Sequence, residues 1–307
     1  MNTYLIWLEW PERCFRADGR DLEEFRSLVP KGSRVVRARS ETSFLRELPK
    51  ATHAIVWRFR REWYARARAL KVLATPAAGR ELVAWRDAPR GVKVHFGGFH
   101  GAIMAESVAA FMLAWSRGLL LMAERGCSAR DWPRTWLSER CSTVSGTQAV
   151  ILGYGRVGRA IGAKLESLGV SVAGITRHAP CDMASRKAEL GRADWLVMAL
   201  PGDTGTDDIL DARLIAKLPR RCVVINVGRG NAVDEQALLA ALRSGRIAGA
   251  YLDVFKGEPT LDIGGRTILA ERKGALPPNL FMTPHASAFA SDYIRRCFRE
   301  LANEGIL

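Results

Sequence analysis

TQAVILGYGRVGRAIGAKLESLG, residues 147–169, decides the fold. TQAVIL is an apolar run of strand length, GYGRVG (153–158) places glycine first, third and sixth, and RAIGAKLESLG has the apolar spacing of a helix. A strand, a G-x-G-x-x-G turn and a helix, in that order, form a dinucleotide-binding turn. Its glycines have separate duties: Gly153 permits the tight turn, Gly155 lets a pyrophosphate approach the backbone, and Gly158 lets helix and strand pack closely. The helix start adds free N–H groups and the positive end of the helix dipole. Tyr154, Arg156 and Val157 complete this candidate cofactor-binding turn.

Outward from the turn, short apolar runs alternate with helical patterns. Downstream stand VSVAGITR, DWLVMALP, CVVINVG and IAGAYLDVF; upstream stand YLIWLEW, SRVVRA, HAIVWRF and KVLATP, with DLEEFRSL, ETSFLREL and EWYARARAL reading as helices. Such alternation means parallel sheets with crossover helices, hence an α/β protein in two halves. Between the halves, MAESVAAFMLAWSRGLLLMAE (104–124) reads as one long helix, apolar around most of its circumference and therefore buried. Glu106, Ser107, Ser116 and Arg117 interrupt it, which argues against a membrane span. The polar stretch CSARDWPRTWLSERCSTVSG (127–146) is an excursion before the second half.

The chain has 307 residues, with 46 Lys and Arg against 32 Asp and Glu, a net charge of +14. The basic residues are spread along the whole chain among acidic ones, so a solvated, anion-attracting surface is expected and nucleic-acid binding is not. MNTYLIWLEWPER lacks the basic start and small-residue cleavage site of a secretory signal, so a cytoplasmic location is expected. Cys14, Cys127, Cys141, Cys181, Cys222 and Cys297 are scattered without a C-x-x-C pair or zinc spacing. Reduced thiols and no metal site follow.

Strand VSVAGITR ends where an acidic residue ordinarily accepts from the adenosine ribose, but Thr176, Arg177 and His178 stand there. A guanidinium suits a 2′-phosphate, with the Thr176 hydroxyl beside it, so NADP(H) is favoured and NAD(H) is the alternative. Arg177 stacked on adenine, or facing water, is the competing reading.

Two further stretches come in order, INVGRGNAVDEQALLAALRSGRIAGAYLDVFKGEP and then NLFMTPHAS, both downstream of the glycine turn. With them the sequence resembles the D-isomer-specific 2-hydroxyacid dehydrogenases over roughly residues 50–300, most strongly over 147–287. The resemblance implies two Rossmann-like lobes: a doubly wound parallel-sheet NAD(P)-binding domain (101–288) inserted in a smaller flavodoxin-like substrate domain (1–100, completed by 289–307). It implies that Arg229 clamps the substrate carboxylate and carbonyl, that Glu258 orients His285, and that His285 exchanges the proton. These residue types fit the chemistry, because a 2-oxo acid that gains a hydride needs a nearby acid for its carbonyl oxygen and a bidentate donor for its carboxylate. By the same resemblance Asp253 lies near the nicotinamide carboxamide, on the cofactor side; a buried strand-end aspartate holding a loop is the competing reading. Leu200, Pro201, Thr206 and Val227 join the cofactor side.

In the first lobe the matching carboxylate loop is ATPAAGREL, so Ala78 and Gly79 are the substrate-binding positions, with Arg80 and Glu81 where members often have Val and Asp. WRFRREW (57–63) corresponds to a loop at the mouth of the cleft, where Arg58, less so Arg60, is a candidate for a second anionic group. His95 and His100 in HFGGFHGAIMAE read as packing or hinge residues. Helix SDYIRRCFREL returns to the first lobe, and ELANEGIL follows without the Gly-containing tail that members pack back on that lobe. The expected activity is reduction of a small anionic 2-oxo acid, glyoxylate or hydroxypyruvate first and a phosphoglycerate-type substrate next, by a homodimer joined through the apolar helix and the Trp132–Leu137 stretch. A dinucleotide-sensing scaffold of the corepressor type retains the same Arg, Glu and His and is the alternative.

Overall fold

The computed structural model describes residues 1–176, 188–258, 267–270 and 275–307. The chain divides into two compact units, Met1–His100 with Phe289–Leu307, and Gly101–Ala288.

The first unit is built on five parallel strands, β1 (Thr3–Trp7), β2 (Arg34–Arg37), β3 (His53–Val56), β4 (Val72–Thr75) and β5 (Lys93–Phe96), in the order β2-β1-β3-β4-β5. β3 and β4 are buried along their whole length, as inner strands of a covered parallel sheet must be, whereas β2 and β5 are edges and are partly exposed. Helices Gly19–Leu28 and Glu41–Glu47 each open with a reciprocal capping box, Asp18 with Asp21 and Ser40 with Ser43. One face of the sheet packs Leu5, Ala54, Val56 and Leu73 against Phe44, Phe59 and Trp63. The returning helix Tyr293–Asn303 is strongly amphipathic: Phe298 is fully buried with its ring 4.6 Å from Phe25. His95 is buried beside Glu300 (3.6 Å) and Glu304 (3.4 Å) of that helix and serves its packing. EWYARARAL is not an α-helix. It forms one 3₁₀ stretch, Arg61–Ala65, with Trp63, Ala67 and Leu70 turned inward.

The second unit holds six parallel strands, β6 (Gln148–Leu152), β7 (Ser171–Ile175), β8 (Trp195–Met198), β9 (Val223–Asn226), β10 (Gly249–Leu252) and β11 (Leu280–Met282), ordered β11-β10-β9-β8-β6-β7 among the described residues. Alternation along β6 feeds two cores. Val150 and Leu152 face the side covered by Leu238, Leu239 and Leu242 of helix Glu235–Arg243, while Ala149 and Ile151 face Met104, Val108 and Met112 of helix His100–Ser116. The strand order reverses between β6 and β8, which puts the topological switch point at their carboxyl ends.

The apolar run 104–124 is not one helix. It breaks into His100–Ser116 and Leu119–Arg125, bent by 68° at Gly118, whose φ is +65°. A Cβ at Gly118 would lie 2.6 Å from Leu137 Cδ1, so the excursion packs into the break and glycine is what accommodates both. No single helix among the described residues is long and apolar enough to cross a membrane. Cys14, Cys127, Cys141, Cys222 and Cys297 are free thiols, and Cys181 lies outside the described residues. Burial pushes the Cys222 thiol up to about 12.

Candidate active site

The glycine turn lies between β6 and helix Arg156–Glu166, at the switch point. Gly153 has φ +92°, and a Cβ there would sit 2.5 Å from the Ala199 carbonyl oxygen at the end of β8. Gly153→Ala is therefore expected to destabilise the protein by about 3 kcal/mol, from backbone strain and a main-chain clash together, read as a lower midpoint in urea unfolding. Gly155 is different. Its φ is −83° and a Cβ on it would meet nothing within 4 Å, so the folded chain itself does not demand glycine there. The open space lies over the start of an eleven-residue helix with no side-chain cap, where N–H donors are left for an anion. That combination fits a dinucleotide pyrophosphate. Arg156 is exposed on the first turn, and Val157 and Tyr154 pack against the core, the Tyr154 ring filling the space over Gly162 and Gly174.

The next strand ends continue the same edge. Gly228, after β9, lies against the Ala199–Leu200 backbone, and Gly230 lies against the Phe255 carbonyl after β10, so main chain meets main chain across three loops. Asn226 braces the β9 turn: its Oδ1 accepts from Gly228 N at 3.1 Å and its Nδ2 donates to Arg229 O at 3.1 Å. Arg229 is half-buried, with Nη1 donating to Gly228 O at 2.8 Å and Cγ in the space that glycine leaves open at Gly202. Val227 is buried in the core beneath this turn.

Beyond β10 and β11 the structure brings Glu258 and His285 together. Nδ1 of His285 lies 2.7 Å from Glu258 Oε2, and Glu258 Oε1 accepts from Phe255 N in its own turn. His285 has φ +53°, an uncommon backbone state for a non-glycine residue, and its side chain is 53% exposed. Asp253 supplies the restraint. It is fully buried, with Oδ1 accepting from Thr283 Oγ1 (2.5 Å) and Ala286 N (2.7 Å), and Oδ2 from Ser287 N (3.0 Å). Through these contacts Asp253 is a loop holder. Tyr251 extends the chain, 2.8 Å from Thr283 Oγ1, its phenol pushed up by burial and therefore neutral. Asp253→Asn turns one acceptor into a donor facing a main-chain N–H. A loss of about 2–4 kcal/mol in urea unfolding is expected, and a loss under about 0.5 kcal/mol would refute the loop-holding role.

Thr206 is buried, its hydroxyl engaged with Pro201 O and Asp203 O at 2.7 Å, while Leu200 packs on the core and Pro201 is exposed. Thr176 directly follows β7; Arg177 lies outside the described residues. In the first unit, Ala78 and Gly79 form the loop after β4, and the adjacent Arg80 stacks on Trp85 and Phe96, its guanidinium 4.8 and 5.3 Å from their ring centres. Arg58 is exposed after β3, 5.8 Å over the Trp10 ring, and Arg60 pairs with Glu41. Asn226, Gly202 and Glu235 are not indicated by motif spacing alone; for Asn226 the available signal is a polar residue closing an otherwise apolar strand. No group of three potential ligands among the described residues is arranged to hold a metal.

A family model for the D-isomer specific 2-hydroxyacid dehydrogenase NAD binding domain matches residues 109–287. Glycerate dehydrogenase of Methylorubrum extorquens is 29% identical over 224 residues, 71% of this chain and 69% of that protein. D-3-phosphoglycerate dehydrogenase of Mycobacterium leprae is 32% identical over 216 residues, 66% of this chain and 39% of that protein. Glyoxylate/hydroxypyruvate reductase B of Pectobacterium carotovorum is 35% identical over 169 residues, 51% of this chain and 52% of that protein. The match to this chain thus spans about half or less of the latter two relatives. Among solved structures, a D-isomer specific 2-hydroxyacid dehydrogenase from Xanthobacter autotrophicus Py2 in complex with NADPH and MES superposes with a TM-score of 0.73 at 26% identity, covering 99% of this chain and 96% of that one. The NAD complexed form of one from Lactobacillus delbrueckii gives a TM-score of 0.74 at 16% identity over the same shares, a likeness of fold alone.

Proposed function

This chain belongs to the D-isomer specific 2-hydroxyacid dehydrogenase family, and from that membership we propose that it reduces a small anionic 2-oxo acid reversibly to the 2-hydroxy acid with NADP(H) or NAD(H). The observation that carries the reading is the 2.7 Å pairing of His285 with Glu258 on the same sheet edge as the open Gly155 turn. Gly153, Gly155 and Gly158 with the helix start would hold the dinucleotide, which when bound supplies the hydride. Glu258 fixes the Nδ1 side of the imidazole, so Nε2 is the atom that hands a proton to the carbonyl oxygen as charge develops there. Arg229 offers two parallel N–H donors and orients the substrate carboxylate.

NADP(H) is the preferred coenzyme, because the residues after β7 begin Thr176, Arg177 and His178 with no carboxylate, and the Xanthobacter relative was captured with NADPH. Glyoxylate and hydroxypyruvate are the first substrates, in keeping with the name of the Pectobacterium relative, and a phosphoglycerate-type acid is the second, in keeping with that of the Mycobacterium one. A homodimer is supported by exposed Leu119, Leu121 and Trp132 on the second unit. A panel of 2-oxo acids assayed with NADPH and NADH tests the reading. Turnover of none, with either coenzyme, overturns it; an Arg177→Asp variant that leaves coenzyme preference unchanged removes the NADP(H) argument.

A further inference from the structure

Glu235 is a buried carboxylate outside the proposed proton-transfer pair. It opens helix Glu235–Arg243 at 3% exposure, yet that helix is capped by Asp234, which accepts from Gln236 N and Ala237 N. The Glu235 carboxylate is engaged elsewhere: Oε1 accepts from Lys256 N at 2.9 Å and Oε2 from Ile268 N at 2.7 Å. Burying a carboxylate costs several kcal/mol unless hydrogen bonds offset it, so the residue type calls for a reason beyond filling space.

The turn after β10 supplies that reason. There the successive N–H groups of Phe255 and Lys256 go to two different carboxylates, Glu258 and Glu235. The oxygen of Glu258 left over holds His285. Lys256 is secured at its other end too, Nζ pairing with Asp208, and the preceding Phe255 carbonyl rests on Gly230. We propose that Glu235 is a positioning residue. By occupying the Lys256 N–H and tying it to Ile268, it sets the turn so that Glu258 Oε2 reaches Nδ1 of His285 and selects the tautomer with Nε2 free. The inference rests on the proposed role of His285, and its test does not depend on turnover.

Nitrogen chemical shifts of the His285 ring, read from its carbon-bound protons at a pH where imidazole is neutral, distinguish the two tautomers. In the full-length wild type the Nδ1–H form is expected to dominate, and in Glu258→Gln to lose its dominance. Glu235→Gln places an amide donor against one of the two N–H groups, and is expected to show the Glu258→Gln pattern, with kcat about 10–100-fold lower and KM within about two-fold. A Glu235→Gln protein with wild-type tautomer balance overturns the proposal. Should that variant not fold, Glu235→Asp, which keeps the charge on a shorter arm, is read by the same chemical shifts: a lost Nδ1–H preference supports the proposal and a wild-type balance overturns it. If Glu235→Gln loses the tautomer while no form of the protein reduces a 2-oxo acid, positioning stands and the dehydrogenase reading falls.

Discussion

His285→Asn should lower kcat/KM for 2-oxo acid reduction by about 10²–10⁴-fold, the usual worth of a positioned general acid, while nicotinamide dinucleotide binding stays within about two-fold. Asparagine is the informative choice because residue 285 sits at φ +53°, a region that asparagine tolerates and alanine resists. Loss of activity in His285→Ala alone would mix lost chemistry with a strained loop. The Asp253 bonds to Thr283, Ala286 and Ser287 do not involve the imidazole, so the loop around residue 285 should keep its shape. Retention of more than about a tenth of wild-type kcat/KM by His285→Asn, with saturating coenzyme, would mean that another group donates the proton.

Arg229→Ala is expected to reduce kcat/KM by about 10²–10³-fold, mainly through KM, because two charge-assisted hydrogen bonds to a carboxylate are together worth roughly 3–4 kcal/mol. Arg229→Lys should recover little of this, since a point charge cannot reproduce the planar fork. The bracing of its turn by Asn226 is through backbone atoms of Gly228 and Arg229, so truncating the Arg229 side chain leaves that brace intact. An unchanged KM in both variants would show that the carboxylate is held elsewhere.

Much of this arrangement is legible in the sequence because its signals are local. Strand length, helical spacing and the three glycines of GYGRVG lie within one short window, and each loop carrying Arg229, Glu258 or His285 directly follows an apolar run that forms a strand. What escapes depends on partners far along the chain. The left-handed backbone at Gly118 follows from where Leu137 packs, and nothing in LAWSRGLLL distinguishes that glycine from one carried inside a straight helix. EWYARARAL has helical composition, and its 3₁₀ form, with Trp63, Ala67 and Leu70 facing the core, is not signalled by its local pattern. Asn226 and Glu235 look like an ordinary strand end and an ordinary helix start; their work is done on main-chain groups up to 33 positions away.

Helix Tyr293–Asn303 sets the order in which the molecule becomes whole. It lays Phe298 on Phe25, so the first unit is finished only by residues synthesised after the whole of Gly101–Ala288, which is one unbroken stretch. During translation the inserted unit therefore has all its strands outside the ribosome while the earlier-made sheet still waits with an aromatic face exposed to solvent. The sheet made earlier is the one sealed later.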